Sequence, residues 1–358
     1  MSDLLGSSYR RILRPLFFRL DPETSHRLTL GLLARLLRFK PAIDPPELRT
    51  EVFGLYFSNP IGLSAGMDKD VRAPLAWNSL GFGFAEFGTI TPRPQPGNEK
   101  PRMWRLPAHR AVINRLGFPG EGLAIVAPRI EQLRHQQMRL RVGINVGPNK
   151  DTPPEKVADD YATLMGRVAP IADFVVINVS SPNTPGLRTF QTPERIRAIV
   201  EAMRAVASVA ARPVPILLKI APDLDSTAVE EISEAALSLK LDGIVATNTT
   251  LQRDAVGVRS ELAGGLSGEP LKELARAMIA RLYGHLRGRI TIIGVGGVSS
   301  AEDAYEHIRA GANLVEMYTS LIYHGPSLVR EIKRGLMRLL ARDGFRSISE
   351  AVGSALHT

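Results

Sequence analysis

Phe174-Val175-Val176-Ile177-Asn178-Val179-Ser180-Ser181-Pro182-Asn183-Thr184 runs from a β-branched apolar stretch straight into a cluster of amides and hydroxyls. The apolar half reads as a strand buried on both faces, and parallel α/β folds place their chemistry at the C-terminal ends of such strands. Taken alone, a Ser/Asn/Pro cluster is equally a plain turn. The pattern repeats, however. Strand-like runs at Ile61 to Gly66, Phe84 to Ile90, Val142 to Gly147, Phe174 to Val179, Ile216 to Ala221, Gly243 to Asn248, Thr291 to Gly297 and Leu314 to Thr319 alternate with helical or loop segments. Eight parallel strands with crossovers predict a (β/α)8 TIM barrel, with a doubly wound open sheet as the alternative.

The ends of these runs carry Ser64 to Lys69, Gly88-Thr89, Asn145, Asn178 with Ser180 and Ser181, Lys219, Thr247-Asn248-Thr249, Gly296-Gly297 and Tyr318-Thr319. Polar residues in phase at every rim predict one ligand site. The set is rich in amides, hydroxyls and lysines and poor in carboxylates, which disfavours paired-acid hydrolysis and carboxylate-metal chemistry. Gly294-Val295-Gly296-Gly297-Val298, ahead of Ser299 and Ser300, fits the phosphate site of such barrels; the competing reading is relief of strand–helix crowding. Lys219, within Ile216-Leu217-Leu218-Lys219-Ile220, needs a buried electron-rich partner, either a reduced flavin ring or a core carboxylate. Pro92 to Pro107 reads as an irregular functional loop over the barrel mouth.

Residues 1 to 40 form a unit of their own, followed by the barrel at 41 to 358. Tyr9, Ile12, Leu13, Leu16, Phe17 and Leu20 lie on one helical face, with Arg10, Arg11, Arg14 and Arg19 mostly off it, and Pro15 is expected to kink the helix. Asp21-Pro22 opens a second Leu-rich helix. The chain of 358 residues carries 45 Lys and Arg against 36 Asp and Glu, a formal +9, which favours anionic partners. Having no cysteine, it has no disulfide, thiolate metal site or cysteine base. Seven histidines show no metal-ligand spacing, and no secretory signal or membrane span is visible.

These motifs, with Asn114-Arg-Leu-Gly-Phe118, Asn145 to Lys150 and Gly264 to Gly268, resemble the dihydroorotate dehydrogenase family nearly end to end. Ser181 and the N-terminal hairpin resemble its membrane-associated, quinone-dependent class, the soluble class having a cysteine base. The resemblance implies oxidation of (S)-dihydroorotate to orotate on one FMN per chain, in pyrimidine (UMP) biosynthesis. Ser181 would remove the C5 proton while hydride passes from C6 to flavin N5, with Asn178, Asn183 and Thr184 supplying hydrogen bonds. Substrate contacts carry over to Lys69, Asn114, Arg115, Leu116, Gly117, Phe118, Asn178, Asn183, Asn248 and Thr249. FMN contacts carry over to Ala65, Gly66, Met67, Asp68, Lys69, Thr89, Asn145, Asn178, Lys219, Thr247, Gly268, Gly297, Tyr318 and Thr319. Electrons would leave to ubiquinone or menaquinone past His26, Arg105 and Tyr318.

The same resemblance implies a monomeric peripheral protein at the cytoplasmic face of the cell membrane, docked on anionic lipid, with no nucleic-acid partner. Two departures from the family pattern stand out: Pro119-Gly120-Glu121 where asparagines usually follow Phe118, and Val71 where glycine usually follows Asp70. Rival functions are another FMN-barrel reductase acting on tRNA and a non-catalytic membrane module.

Overall fold

In a computed structural model describing residues 6–207, 213–257 and 262–356, eight parallel strands close into a barrel. A hairpin precedes it, β1 (Thr50–Val52) and β2 (Leu55–Phe57). The barrel strands are β3 (Ile61–Leu63), β4 (Phe84–Ile90), β7 (Arg141–Val146), β8 (Phe174–Asn178), β9 (Ile216–Ile220), β10 (Gly243–Ala246), β12 (Thr291–Val295) and β13 (Leu314–Met317). Each pairs with its sequence neighbour in the ring, and β13 returns to β3. The TIM-barrel expectation therefore holds and the open sheet is excluded, since no barrel strand is left with a free edge. The outermost strands are shorter than the sequence suggested: β3 ends at Leu63 and β13 at Met317, because Tyr318 leads into the helix Thr319–His324.

Aromatic packing fills the lower barrel. Phe57 and Phe53 of the β1–β2 hairpin sit 5.6 Å from the rings of Phe84 and Phe174 respectively, so the hairpin plugs the end opposite the site. Gly62 and Gly143 make room for those rings; a Cβ at either would stand 2.2 Å from Phe84 or Phe174. Any side chain there would overpack the interior.

The remaining strands cover the barrel mouth: β5 (Met103–Leu106), β6 (Ala111–Asn114) and β11 (Gly265–Gly268) form an antiparallel sheet in the order β11-β6-β5. The segment expected to be irregular, Pro92 to Pro107, thus ends in a strand. Four-residue strands carry too little alternation to be recognised from sequence.

Before the barrel, a π-helical turn Tyr9–Leu13 runs into α1 (Arg14–Phe18), followed by α2 (Pro22–Leu36). Pro15, which has no N–H to give, lies in the first turn of α1, and the chain widens ahead of it rather than breaking. Asp21 caps α2 as expected, its carboxylate accepting from Thr24 N at 2.9 Å. The helical pair is tied to the barrel by Tyr9 OH donating to Ile322 O at 2.8 Å and by Arg102 donating twice to Glu23 at 2.8 Å. Its apolar residues do not all turn inward: Ile12, Leu13, Leu16 and Leu20, then Leu28, Leu32 and Leu36 at four-residue spacing on α2, are exposed. Among the described residues no helix is long and apolar enough to cross a membrane.

Candidate active site

The C-terminal rims of the barrel strands and the three-stranded cover enclose a cleft of about 1220 Å³ of empty space, open mouth included. Most of the residues singled out in the sequence line it: Ala65, Gly66 and Lys69 after β3, Thr89 at the end of β4, Asn178, Ser181 and Asn183 after β8, and Lys219 in β9. Thr247, Asn248 and Thr249 follow from β10, Gly268 from β11, Gly297 from β12, and Tyr318 and Thr319 from β13, while Asn114, Leu116, Gly117 and Phe118 descend from the cover.

Four of the residues expected to touch cofactor or substrate do not reach the cleft. Asp68 is buried with both oxygens occupied, accepting from Arg72 N at 2.7 Å, Ala73 N at 2.8 Å and Trp77 Nε1 at 3.0 Å. It organises the loop that carries Lys69. Met67 packs in the hydrophobic core, and Arg115 turns outward to donate to Pro101 O. Asn145 lies one layer behind: its Oδ1 accepts from Thr89 Oγ1 at 2.5 Å and from Asn178 Nδ2 at 3.1 Å. Successive residues of one motif point in different directions, which a motif match does not reveal.

Beneath the cleft floor runs a buried polar chain. Asn178 Nδ2 donates to Thr89 Oγ1 at 2.9 Å, and Asn178 Oδ1 accepts from Ser180 N at 3.2 Å. Asn248 Nδ2 donates to Ser180 Oγ at 3.0 Å, and Tyr161 OH to Asn178 O at 2.9 Å. A network with every member partnered fixes side-chain direction. Ser181 stands apart from it: its Oγ accepts from Asn183 N at 3.2 Å, and Asn183 Nδ2 reaches across to Asn114 Oδ1 at 3.1 Å. Thus the backbone N–H of Asn183, not the side chains of Asn178 or Thr184, serves the Ser181 hydroxyl, and Thr184 Oγ1 is buried without a partner. Arg188, which the sequence reading passed over, braces this loop by donating to Ser180 O at 3.0 Å, Thr249 O at 2.8 Å and Asp223 at 2.7 Å.

Lys219 has the partner its burial demands, and it is carboxylate. Its Nζ lies 2.9 Å from Glu86 of β4 and 3.6 Å from Glu316 of β13. Both glutamates sit within strands, so the paucity of carboxylates expected from the rims holds for the rims only. Lys69 donates to Gly66 O at 3.1 Å, and burial pushes its ammonium below the usual lysine range, against the pull of Asp70 and Glu23.

At the far end of the cleft Gly296 and Gly297 take φ of 131° and 73°. A Cβ on Gly297 would stand 2.5 Å from Lys272 Cα, so strand–helix crowding and open backbone N–H groups both call for glycine here. Ser299 is occupied by Asp303 at 2.9 Å and Ser300 caps the helix Ala301–Arg309, whereas Ser320 Oγ is buried without a partner beside the glycines' end of the cleft. An orphaned buried hydroxyl beside bare backbone is what an anionic phosphate would complete. These residues would suit FMN: Gly297 and Ser320 would hold its phosphate, and Thr89, Asn178 and Lys219 would face its ring.

His307, fully buried, holds the glycine loop from behind through Nε2 on Gly296 O at 3.0 Å. Burial pushes its imidazole down to about 4, against the Gly296 hydrogen bond and Asp303, which pull it up. In the unfolded chain a histidine titrates near 6.5, so its stabilising contribution is whole above that pH and is lost as pH falls toward 4. Between pH 7.5 and pH 4.5 the wild type should lose roughly 2–3 kcal/mol more unfolding free energy than His307→Gln in urea titrations. Parallel pH profiles would show that this histidine does not couple folding to protonation.

A second cavity lies between α2 and the barrel, lined by His26, Leu30, Gly31, Lys69, Leu116 and Tyr318 among others. Tyr318 stands between the two cavities, and burial raises its hydroxyl above the usual tyrosine range. Burial likewise pushes His26 down to about 3. Arg105 is not brought to this cavity; it donates to Phe17 O at 3.0 Å and lies 4.6 Å over the Phe18 ring, clasping the end of α1. Pro119-Gly120-Glu121 is firmly held: Gly120 pairs with Gln95, and Glu121 N donates to Asp70 Oδ1 at 2.9 Å.

Closed barrel, rim-borne cleft and a phosphate-ready glycine turn define a (β/α)8-barrel enzyme. Residues 47–340 match the family model described as dihydroorotate dehydrogenase. The chain is 48% identical over 352 residues to a protein of Anaeromyxobacter sp. (strain Fw109-5) named dihydroorotate dehydrogenase (quinone), covering 97% of each. It is 48% identical over 360 residues to a protein of the same name from Acidithiobacillus ferrooxidans, covering 96% of this chain and 98% of the relative. A crystal structure of the Eimeria tenella enzyme with ferulenol superposes with a TM-score of 0.89 at 39% identity, over 94% of this chain and 96% of that one. The chain belongs to the dihydroorotate dehydrogenase family, and it is an oxidoreductase.

Proposed function

We propose that this chain oxidises (S)-dihydroorotate to orotate with FMN and passes the electrons to a membrane quinone, ubiquinone or menaquinone, within pyrimidine (UMP) biosynthesis. The observation that carries the reading is the buried Ser181 hydroxyl in a cleft that also presents Lys69 and the amides of Asn114, Asn183 and Asn248. Lys69 pairs with the substrate carboxylate, and the amides meet the ring carbonyls and N–H groups. Ser181 removes the C5 proton: Oγ takes it up as its own hydroxyl proton passes to water at the cleft mouth, and the N–H of Asn183 on Oγ favours the negative charge that develops there. When bound, FMN supplies the two-electron acceptor. The cover sheet keeps water from the reacting face.

Residues 1–40 act as the docking unit and 41–358 as the catalytic barrel, the chain lying as a monomer on the cytoplasmic face of the membrane. In support, Ile12, Leu13, Leu16, Leu28, Leu32 and Leu36 are exposed, and Arg11, Arg19, Arg27 and Arg35 around them are exposed as well. An apolar stripe rimmed by guanidinium groups suits the boundary of an anionic bilayer. Each leucine there is worth ~1.5–3 kcal/mol on full burial, so Leu16→Glu with Leu32→Glu should weaken binding to anionic vesicles by at least about a hundredfold. In that variant dihydroorotate still bleaches the flavin, while reoxidation by a long-chain quinone in vesicles slows. Equal loss of both half-reactions would overturn the docking role; failure of the wild type to take up FMN would overturn the whole reading.

A further inference from the structure

Three almost fully buried ionisable side chains meet inside the barrel: Glu86 and Glu316 are 0% exposed and Lys219 is 4% exposed. They come from β4, β13 and β9 and are far apart in sequence. Lys219 Nζ donates to Glu86 Oε2 at 2.9 Å and lies 3.6 Å from Glu316 Oε2. The other oxygen of Glu86 accepts from Asn145 Nδ2, which connects it to Thr89 and Asn178. Glu316 is differently placed: neither of its oxygens has a hydrogen-bond partner, although it lines the cleft together with Lys219.

The charge count is unbalanced as drawn, with one ammonium against two carboxyls. An uncompensated charge in such a place is costly, and two carboxyls that flank one ammonium, at 2.9 and 3.6 Å from its nitrogen, relieve the cost when the pair takes up one proton. Burial, and after it the neighbouring Glu86, lifts the Glu316 carboxyl well above the usual range, while Lys219 pulls it down. Burial lowers Lys219, but Glu86 and Glu316 together more than offset it and the ammonium ends above its ordinary value. The groups facing Glu316 are Glu86, Lys219 and the Ser64 hydroxyl.

We propose that Glu86 and Glu316 share one proton, so that the pair presents a single negative charge to Lys219, and that either carboxyl can serve as the counter-ion when the other is neutral. Resting on the FMN reading above, this makes the two glutamates positioning residues. They keep the ammonium charged and pointed at the flavin while the group as a whole stays neutral, so a fixed positive charge faces the ring as it gains electrons. Because the counter-charge is shared, loss of one carboxylate is made good by the other.

The test uses the FMN-loaded protein with Glu86→Gln, Glu316→Gln, both together, and both with Lys219→Met. Infrared difference spectra of the wild type should show the carbonyl stretch of one protonated carboxylic acid, absent from either single variant. At a fixed potential the ratio of reduced to oxidised flavin should shift less than threefold in each single variant and more than tenfold toward oxidised flavin in the double variant, whose buried amine loses its charge. Thermal stability should fall in the double variant and return when Lys219→Met is added; that rescue also serves if the double variant does not fold. A wild type without the protonated-acid band, or Glu86→Gln alone behaving like the double variant, overturns the proposal. The band and the melting temperatures are read equally well without flavin, so a chain that fails to take up FMN refutes the cofactor reading and leaves this one still decided.

Discussion

Ser181→Ala is expected to slow flavin reduction by dihydroorotate by about a hundredfold or more while FMN and orotate binding persist. A positioned general base contributes 10²–10⁴ in rate, and a hundredfold loss corresponds to about 2.7 kcal/mol of transition-state stabilisation. The hydroxyl is buried at the cleft wall and its hydrogen bond comes from the Asn183 backbone. Alanine therefore removes the proposed proton acceptor without disturbing the Asn178–Asn248 network beneath it, which runs through Ser180 instead. Anaerobic stopped-flow absorbance gives the rate directly, and a wild-type rate would remove Ser181 from the role of base. A loss of orotate binding in parallel would instead make it a substrate-binding group.

The second large effect is expected at Gly297→Ala. The residue sits at φ of 73° and its new Cβ would stand 2.5 Å from Lys272 Cα and 2.6 Å from Lys272 N, so the helix beginning at Lys272 must shift. Overpacking costs ~1–3 kcal/mol and the left-handed conformation roughly 1–2 kcal/mol more. Gly288 offers a built-in control, with φ of 72° and nothing within 4 Å of a new Cβ. Alanine at 288 should lose only about 1–2 kcal/mol in chemical denaturation and keep its flavin. Alanine at 297 should lose about 3 kcal/mol and release FMN on gel filtration. Equal losses at the two positions would mean that the close approach to Lys272 is relieved at no cost.

The barrel was readable because its strands are buried on both faces and are therefore mostly apolar, and the N-cap at Asp21 was readable because it is a local event. The cleft was readable because its side chains come from strand ends, where polarity breaks an apolar run. What escaped detection depends on partners distant in sequence. Glu86 lies in Phe84-Ala85-Glu86-Phe87, where one acid looks accidental until Lys219, 133 positions away, is brought against it. Glu316 escaped for the same reason. Asp68 and Met67 entered through their place in a motif, but the loop turns Asp68 toward Trp77 and Met67 into the core. Arg188 looked like an ordinary loop arginine; only the fold gives it Ser180, Thr249 and Asp223.

The roof over the cleft joins two insertions from opposite sides of the barrel. Its β5 and β6 arise after β4, and its β11 after β10, with Asn114 opposite Gly265 and Ala111 opposite Gly268. A trait assembled in this way is inherited as a pair. Chimeras that exchange residues 92–114 with a relative should be tolerated only when the donor's counterpart of 249–268 travels with them, and drift in one insertion constrains drift in the other although some 150 residues of chain separate them.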